Sequence, residues 1–296
     1  MKRSVTIAVV ANLLFGVIPV YWKLLAGVSN MYILGHRMLW SILFTILFAA
    51  VDKKLPLLKE AFRNKRALGF SLLSGLVIVG NWYLYTWAIN AGMVAETSLA
   101  YYMSPLIVFL FGVLVFREKC TKWEIVAVCF AGFGILLSSI STGGFPWVAV
   151  LLAVSFALYG VLKKLAGLDS AVSLTVEMTL LLPISLIYLA TTSFGPSGHL
   201  VGLEWWELVL LVGTGFASSF PLWLYGKGIT DLPLTLVGIL QYIWPTTSLL
   251  MSIFVFRETV STSKLVCFGF IWVGLLIFTA SKFMKPKSKA AENSGT

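Results

Sequence analysis

The sequence predicts an all-α integral membrane protein, ten transmembrane helices arranged as two inverted five-helix halves. Three observations carry that expectation. The 296 residues are 59% hydrophobic and only 11% charged, against about 25% charged in soluble domains. Apolar stretches of about 20 residues, enough to cross about 30 Å of hydrocarbon, recur from end to end, and they are continuous rather than alternating, which argues against barrel strands. Finally, part of the chain occurs twice at a constant offset. Tyr101-Tyr102-Met103-Ser104-Pro105 and Phe116-Arg117-Glu118 match Gln241-Tyr242-Ile243-Trp244-Pro245 and Phe256-Arg257-Glu258. In so apolar a chain, a duplication points to repeats of a carrier rather than to a soluble solenoid.

The spans follow in order. Residues 4–23 come after Met1-Lys2-Arg3, a start that also suits a signal peptide. The apolar run continues to Trp22 with Pro19 inside it and lacks a small-residue cleavage site, so a retained first helix is expected. The second span, 31–51, contains His36 and Arg37. A basic connection leads to the third, 67–90, with Asn81 and Trp82. The fourth, 95–115, carries Pro105 and ends at Arg117-Glu118, and the fifth is 122–140. The uncharged stretch 138–145, with Gly143-Gly144, forms the seam. Beyond it lie 146–163, 171–191 with Glu177, 206–228, 232–255 with Pro245, and 264–282. The expected organisation is a first repeat over 1–141, a second over 142–282, and a cytoplasmic tail over 283–296. Glycine and proline inside spans are tolerated where neighbouring helices satisfy the freed backbone groups.

Charge sets the direction. With the N-terminus inside, every basic residue except Lys23, Arg37, Arg257 and Lys264 falls in a cytoplasmic segment, out of 22. That bias orients a membrane protein. It also explains the net charge of +10 better than nucleic-acid binding does, since the basic residues sit between apolar spans. Both termini are therefore expected in the cytoplasm. Five spans per half is an odd number, so the second copy starts on the opposite face: Arg117-Glu118 ends a helix inside and Arg257-Glu258 outside. Weaker echoes agree, with Phe15-Gly16 through Lys23 answering Phe156-Ala157 through Lys164 and Met38 answering Met178. Cys129 and Cys267 lie in spans and Cys120 at a basic turn. None has metal-ligand or disulfide-framework spacing, so they are expected to be small core residues, with no metal and no cofactor.

These motifs resemble the RarD family of EamA-type transporters in the drug/metabolite transporter (DMT) superfamily. The resemblance rests on residues 15–23 (FGVIPVYWK), His36-Arg37-Met38-Leu39-Trp40-Ser41, Gly80-Asn81-Trp82, Trp87-Ala88-Ile89-Asn90 and residues 96–101 (ETSLAY). In the second half it rests on residues 155–160 (SFALYG), Glu177 with Leu182-Pro183, residues 241–246 (QYIWPT) and Phe270-Ile271-Trp272-Val273. It implies two inverted EamA repeats of five helices around a central cavity, and a secondary carrier in the inner (cytoplasmic) membrane. Members are commonly labelled chloramphenicol-sensitivity permeases, and relatives in the superfamily export amino acids and other small metabolites.

The residues themselves nominate a site. An ionisable group inside a span costs about 2.5–3.5 kcal/mol on insertion scales, so it faces a cavity or a partner. Arg37 and Glu177 occupy related positions in the two halves. In a functional role Arg37 holds an anionic substrate group and Glu177 carries a proton or meets an amine. In a structural role Arg37 pairs with Glu96, and Glu177 with Lys163 or Lys164. His36 is a further proton candidate because imidazole titrates near pH 6.5, and Glu96 completes the coupling candidates. Aromatic residues are the second signal. Trp22, Trp87 and Trp147 fit an interfacial belt, whereas Tyr101, Tyr102, Tyr242 and Trp244 lie near mid-span beside Pro105 and Pro245, where such carriers bind substrate. Tyr85, Tyr159 and Trp223 join them in an aromatic wall suited to planar or cationic amphipathic molecules. Among the mid-span polar residues Asn12, Asn81, Ser155, Ser218, Ser219 and Gln241, the amides Asn81 and Gln241 are the strongest candidates. An amide in hydrocarbon needs a partner. Gly75, Gly80, Gly132, Gly134, Gly269 and Gly274 are expected to permit close helix approach.

The expected function is a secondary transporter that exports small amphipathic metabolites, amino-acid-like or aromatic, phenicol-type drugs among them, with the proton as coupling ion. The expected partners are that substrate and the lipid bilayer, with no nucleic acid. An uptake carrier or exchanger of the same fold is the alternative. ATP-driven transport is disfavoured by the lack of a Walker-type loop. An enzyme is disfavoured because the two histidines, His36 and the loop residue His199, form no constellation with carboxylates. A channel is disfavoured because rings of like charge are absent.

Overall fold

The computed structural model describes residues 2–91, 93–141, 145–193, 202–255, 257 and 262–283. Gly143-Gly144, His199, Phe256, Glu258 and the tail beyond Phe283 lie outside the described residues. Twelve helices are described: α1 (Lys2–Leu24), α2 (Asn30–Val51), α3 (Leu55–Arg63), α4 (Lys65–Asn90), α5 (Val94–Phe116), α6 (Lys122–Ser141), α7 (Trp147–Ala166), α8 (Ser170–Thr192), α9 (Trp205–Asp231), α10 (Leu234–Gln241), α11 (Ile243–Phe254) and α12 (Thr262–Phe283). No strand occurs among the described residues. Eight helical stretches are long and apolar enough to cross a bilayer, with α10 and α11 together forming one of them, and Phe268–Phe278 of α12 is a shorter apolar helix.

The structure departs from the expected spans in two places. The connection between α2 and α4 contains the nine-residue helix α3, whose Leu57, Leu58 and Ala61 pack on Val172 and Val176 of α8. With Lys59, Glu60 and Arg63 on its other side it is amphipathic, and it is too short to register as a span. The expected helix over 232–255 is broken at Tyr242. Pro245 has no N–H, so the Gln241 carbonyl loses its helical donor, and the Tyr242 N–H instead reaches the Ile239 carbonyl at 3.3 Å. Pro105, at the same repeat position, lies within a continuous α5.

The two halves interlock. α7 packs on α4 and α5, α1 on α9 and α11, α2 on α8 and α9, α5 on α10, and α6 on α12. Polar contacts identify the ends. Ser4 at the start of α1 donates to Asp231 at the end of α9 (3.0 Å), and Lys227 near that end donates to Asp52 after α2 (2.8 Å). At the other end Tyr32 of α2 meets Ser193 after α8 (2.9 Å), and Val148 at the start of α7 donates to Glu96 at the start of α5 (2.9 Å). α1 and α7 thus begin at opposite ends, so the halves run in opposite senses.

The end where α1 begins is tied by a further latch. Arg117 caps α5 in the left-handed conformation (φ 51°), and Arg257, at the matching repeat position, has the same left-handed φ (53°). Non-glycine residues adopt this conformation at a cost of about 1–2 kcal/mol. The turn directs the Glu118 N–H to the Gly112 carbonyl (3.1 Å) and aims the carboxylate at the start of α10. There it accepts from the backbone N–H groups of Leu234 and Thr235 (both 2.8 Å) and from Lys164 Nζ (3.1 Å), an anion on a helix N-terminus. Burial opposes the charge, but these three donors outweigh it and hold the Glu118 carboxyl below its ordinary pKa of 4.5. A depressed carboxyl stabilises the fold above its unfolded pKa and loses that contribution as pH falls through the folded value. Glu118→Gln is therefore expected to lower thermal stability in detergent at pH 7 by about 1–2 kcal/mol, the scale of a lost cap. The gap to wild type should narrow only below pH 4.5. A gap that closed between pH 7 and pH 5 would contradict this assignment.

Candidate functional site

Arg37 lies two turns into α2, and its guanidinium sits between two indoles: Cζ is 4.1 Å from the Trp82 ring centroid on α4 and 4.8 Å from that of Trp22 on α1. Its Nε donates to Ser218 Oγ on α9 (2.8 Å). Each cation–π contact stabilises by about 0.5–1 kcal/mol when exposed and about 2 or more when desolvated. Among the described residues, no carboxylate lies within ion-pairing distance of Arg37. The expected pairing with Glu96 does not occur, because Glu96 accepts from the Val148 N–H at the start of α7.

Rings from both halves extend the site. Tyr85 meets Tyr101 (5.8 Å between centroids), Tyr101 meets Trp244 (4.8 Å), and Trp244 meets Phe15 (5.0 Å) and Phe156 (5.7 Å). Tyr225 closes the floor against Phe15 (6.2 Å) and Phe156 (5.6 Å). Gln241 Nε2 donates to the Tyr225 hydroxyl (2.7 Å), while Gln241 Oε1 is buried with no partner among the described residues. Arg37, Trp22, Trp82, Tyr85, Tyr101 and Trp244 all keep part of their surface accessible despite their interior position. Together they form a cation-bearing aromatic box.

The matching position of the second half is built differently. Glu177 on α8 is fully buried and accepts from Ser74 Oγ (2.8 Å), Ser173 Oγ (2.9 Å), Lys163 Nζ (3.0 Å) and Tyr159 OH (3.3 Å). Lys163 also donates to Ser173 (3.1 Å), and it is 6% exposed. The expected partnership of Glu177 with Lys163 is present, and Lys164 goes to Glu118 instead.

Among the other nominated residues, Asn81 donates to the Leu152 carbonyl (2.9 Å) and Ser155 Oγ (2.8 Å), joining α4 to α7. Tyr159 belongs to the Glu177 network. Tyr102 and Tyr242 are buried in a cluster with Phe268 of α12, against which Tyr85 and Tyr101 of the box pack. One residue along a helix is about 100° around it, so Tyr101 and its neighbour Tyr102 face different ways. Trp223 stacks on Phe48 (4.8 Å) and donates to Asp52 Oδ2 (2.9 Å) at the latched end. His36 Nδ1 accepts from Trp40 Nε1 (3.0 Å), and its Nε2 is buried with no partner among the described residues.

Sequence reasoning missed Trp22 and Trp82 as parts of the site. Trp87 and Trp147 are exposed and in mutual contact (5.9 Å), as a belt requires, but Trp22 faces Arg37. A signal for it exists: Trp22 precedes Lys23 as Lys163 precedes Lys164, so it holds the repeat position of the lysine that meets Glu177.

The chain is similar to proteins of known family. The EamA-like transporter family matches residues 2–140 and 146–280. "Uncharacterized transporter YojE" of Bacillus subtilis is 40% identical over 286 residues, 95% of each chain. "Protein RarD" of Salmonella typhimurium is 31% identical over 288 residues, 97% of this chain and 98% of that protein. A solved crystal structure aligns with a TM-score of 0.74 at 17% identity, covering 97% of this chain and all of the other, a likeness of fold alone.

Proposed function

The chain belongs to the EamA-like transporter family as a RarD-type member, a multi-pass membrane transporter and not an enzyme, and from that premise we propose that it is a secondary carrier exporting small amphipathic metabolites across the cytoplasmic membrane. In this reading ten spans form two inverted repeats, over 1–141 and 142–282, both termini are cytoplasmic, and the aromatic box is the substrate site. The observation that carries it is the box itself. Arg37, with no counter-charge among the described residues, is walled by aromatic rings from both halves at the level where Pro105 and Pro245 fall. Repeat interfaces near the midplane are where such carriers hold substrate.

Two further features support the reading. The box keeps accessible surface, whereas the end tied by Glu118–Lys164, Asp52–Lys227 and Ser4–Asp231 is closed by three polar contacts. By the charge bias that latched end is the cytoplasmic one, so this conformation presents the box outward. Glu177, buried with four donors around it, is the coupling candidate, because taking up a proton there would release Lys163 and loosen α7 from α8. His36 and Glu96 hold helix contacts in this conformation and take second place.

Purified protein in liposomes, screened against amino acids, aromatic metabolites and phenicols with and without a pH gradient, tests the proposal. At least one compound that binds is expected to cross, faster with the gradient. If no bound compound moves under any gradient, the carrier reading fails. Glu177→Gln is expected to abolish acceleration by the pH gradient while leaving exchange of labelled for unlabelled substrate. Unchanged gradient dependence would remove Glu177 as the proton site.

A further inference from the structure

We infer that the ligand of the aromatic box carries a carboxylate, held by the guanidinium of Arg37 between the planes of Trp22 and Trp82. This rests on the reading of the box as the substrate site, and it narrows the substrates to planar or aromatic carboxylates.

A guanidinium has five N–H groups in a fixed fork and accepts nothing. In Arg37 one of the five, on Nε, goes to Ser218. Among the described residues the terminal nitrogens make no hydrogen bond or ion pair, and the polar and ring partners of Arg37 are Ser218, Trp22 and Trp82. The hydroxyls of Tyr85 and Tyr101 are within electrostatic reach. Stacking on indole faces stabilises the charge while leaving the edge of the fork open. That edge matches a carboxylate with two parallel N–H···O bonds.

The second half shows how this chain completes such a position when it does so internally. Glu177, 140 residues on from Arg37, has Lys163 as its counter-charge and three hydroxyls around it. At the position related to Lys163 the first half has Trp22, whose ring covers the face of Arg37 and brings no charge. One of the two related charges is neutralised by the chain and the other is offered to the accessible interior. A cationic ligand would add repulsion, and a neutral acceptor could meet the Arg37 donors but would leave the charge unbalanced. An anion meets both needs, and the rings of Tyr101 and Trp244 beside it suit an aromatic body.

Three ligands that share a benzyl group test this: phenylacetate, its amide phenylacetamide, and phenethylamine. Binding to the purified full chain in detergent is read from quenching of tryptophan fluorescence, since Trp22 and Trp82 flank the site. Phenylacetate is expected to bind at least about tenfold more tightly than the amide, the scale of a hydrogen bond to a charged group, and phenethylamine most weakly. In Arg37→Gln the preference for the carboxylate should vanish. In Arg37→Lys, which keeps the charge and loses the fork, it should fall partway. The ratio on the unaltered protein decides even if a variant fails to fold. Equal or tighter binding of the amide or the amine overturns the inference, as does binding of none of the three or a preference that survives in Arg37→Gln. Phenethylamine that binds and crosses liposomes would leave the carrier standing without the carboxylate. Phenylacetate that binds but never crosses would leave the carboxylate site standing without the carrier.

Discussion

Glu177→Ala is expected to destabilise the protein by about 3–5 kcal/mol, the cost of leaving a buried charge without its partner. Lys163 is 6% exposed, and without Glu177 its ammonium would retain only Ser173 Oγ among its present acceptors. Ser74 and Tyr159 would each lose an acceptor as well. The loss falls where α4, α7 and α8 meet, so it should appear as a lower midpoint of thermal unfolding in detergent. Lys163→Met should cost less, because the remaining carboxylate keeps hydrogen bonds from two serines and a tyrosine. The double variant Lys163→Met with Glu177→Leu should recover much of the loss, since replacing both ions with apolar groups removes the desolvation penalty along with the attraction. If Glu177→Ala and the double variant unfold at the same midpoint, the penalty of an unpaired lysine is not what destabilises the single variant.

The membrane fold was legible because one physical requirement dominates it. Each crossing segment must be apolar for about 20 residues, and that pattern survives any detail of packing. What escaped depended on a single backbone group or on partners far along the chain. The break at Tyr242 falls where Pro245 removes a helical N–H, yet Pro105 at the same repeat position interrupts nothing, so sequence alone does not separate the two. Helix α3 is stabilised by α8, more than a hundred residues away. At the site, Arg37 and Glu177 announced themselves as charges inside spans, but their partners were set by helix rotation. Rotation sends Glu96 to the start of α7 and brings Trp22 over Arg37. It also turns Tyr101 onto Trp244 and Tyr102 onto Phe268.

Gly238→Ala is expected to have the second large effect, on stability and on the box together. A Cβ at Gly238 would stand 2.7 Å from both the Phe109 nitrogen and the Pro105 carbonyl oxygen. These are backbone atoms of α5 that cannot rotate aside, so the two helices must separate. Overpacking of this kind costs about 1–3 kcal/mol, offset in part by the helix preference of alanine over glycine, about 1 kcal/mol. Separation would also carry Tyr101 on α5 away from Trp244 at the start of α11, now 4.8 Å between ring centroids. Binding of an aromatic ligand should therefore weaken along with the unfolding midpoint. Gly269 supplies the control. The glycine pattern marked it for close helix approach, as it did Gly80, but a Cβ at either would meet nothing within 4 Å, whereas one at Gly274 would meet the Ala127 carbonyl oxygen at 2.6 Å. Gly269→Ala should leave the midpoint unchanged or raise it, and ligand binding should stay intact. If Gly238→Ala tracked Gly269→Ala in both measurements, close contact between α5 and α10 would not be what sets the width of the aromatic box.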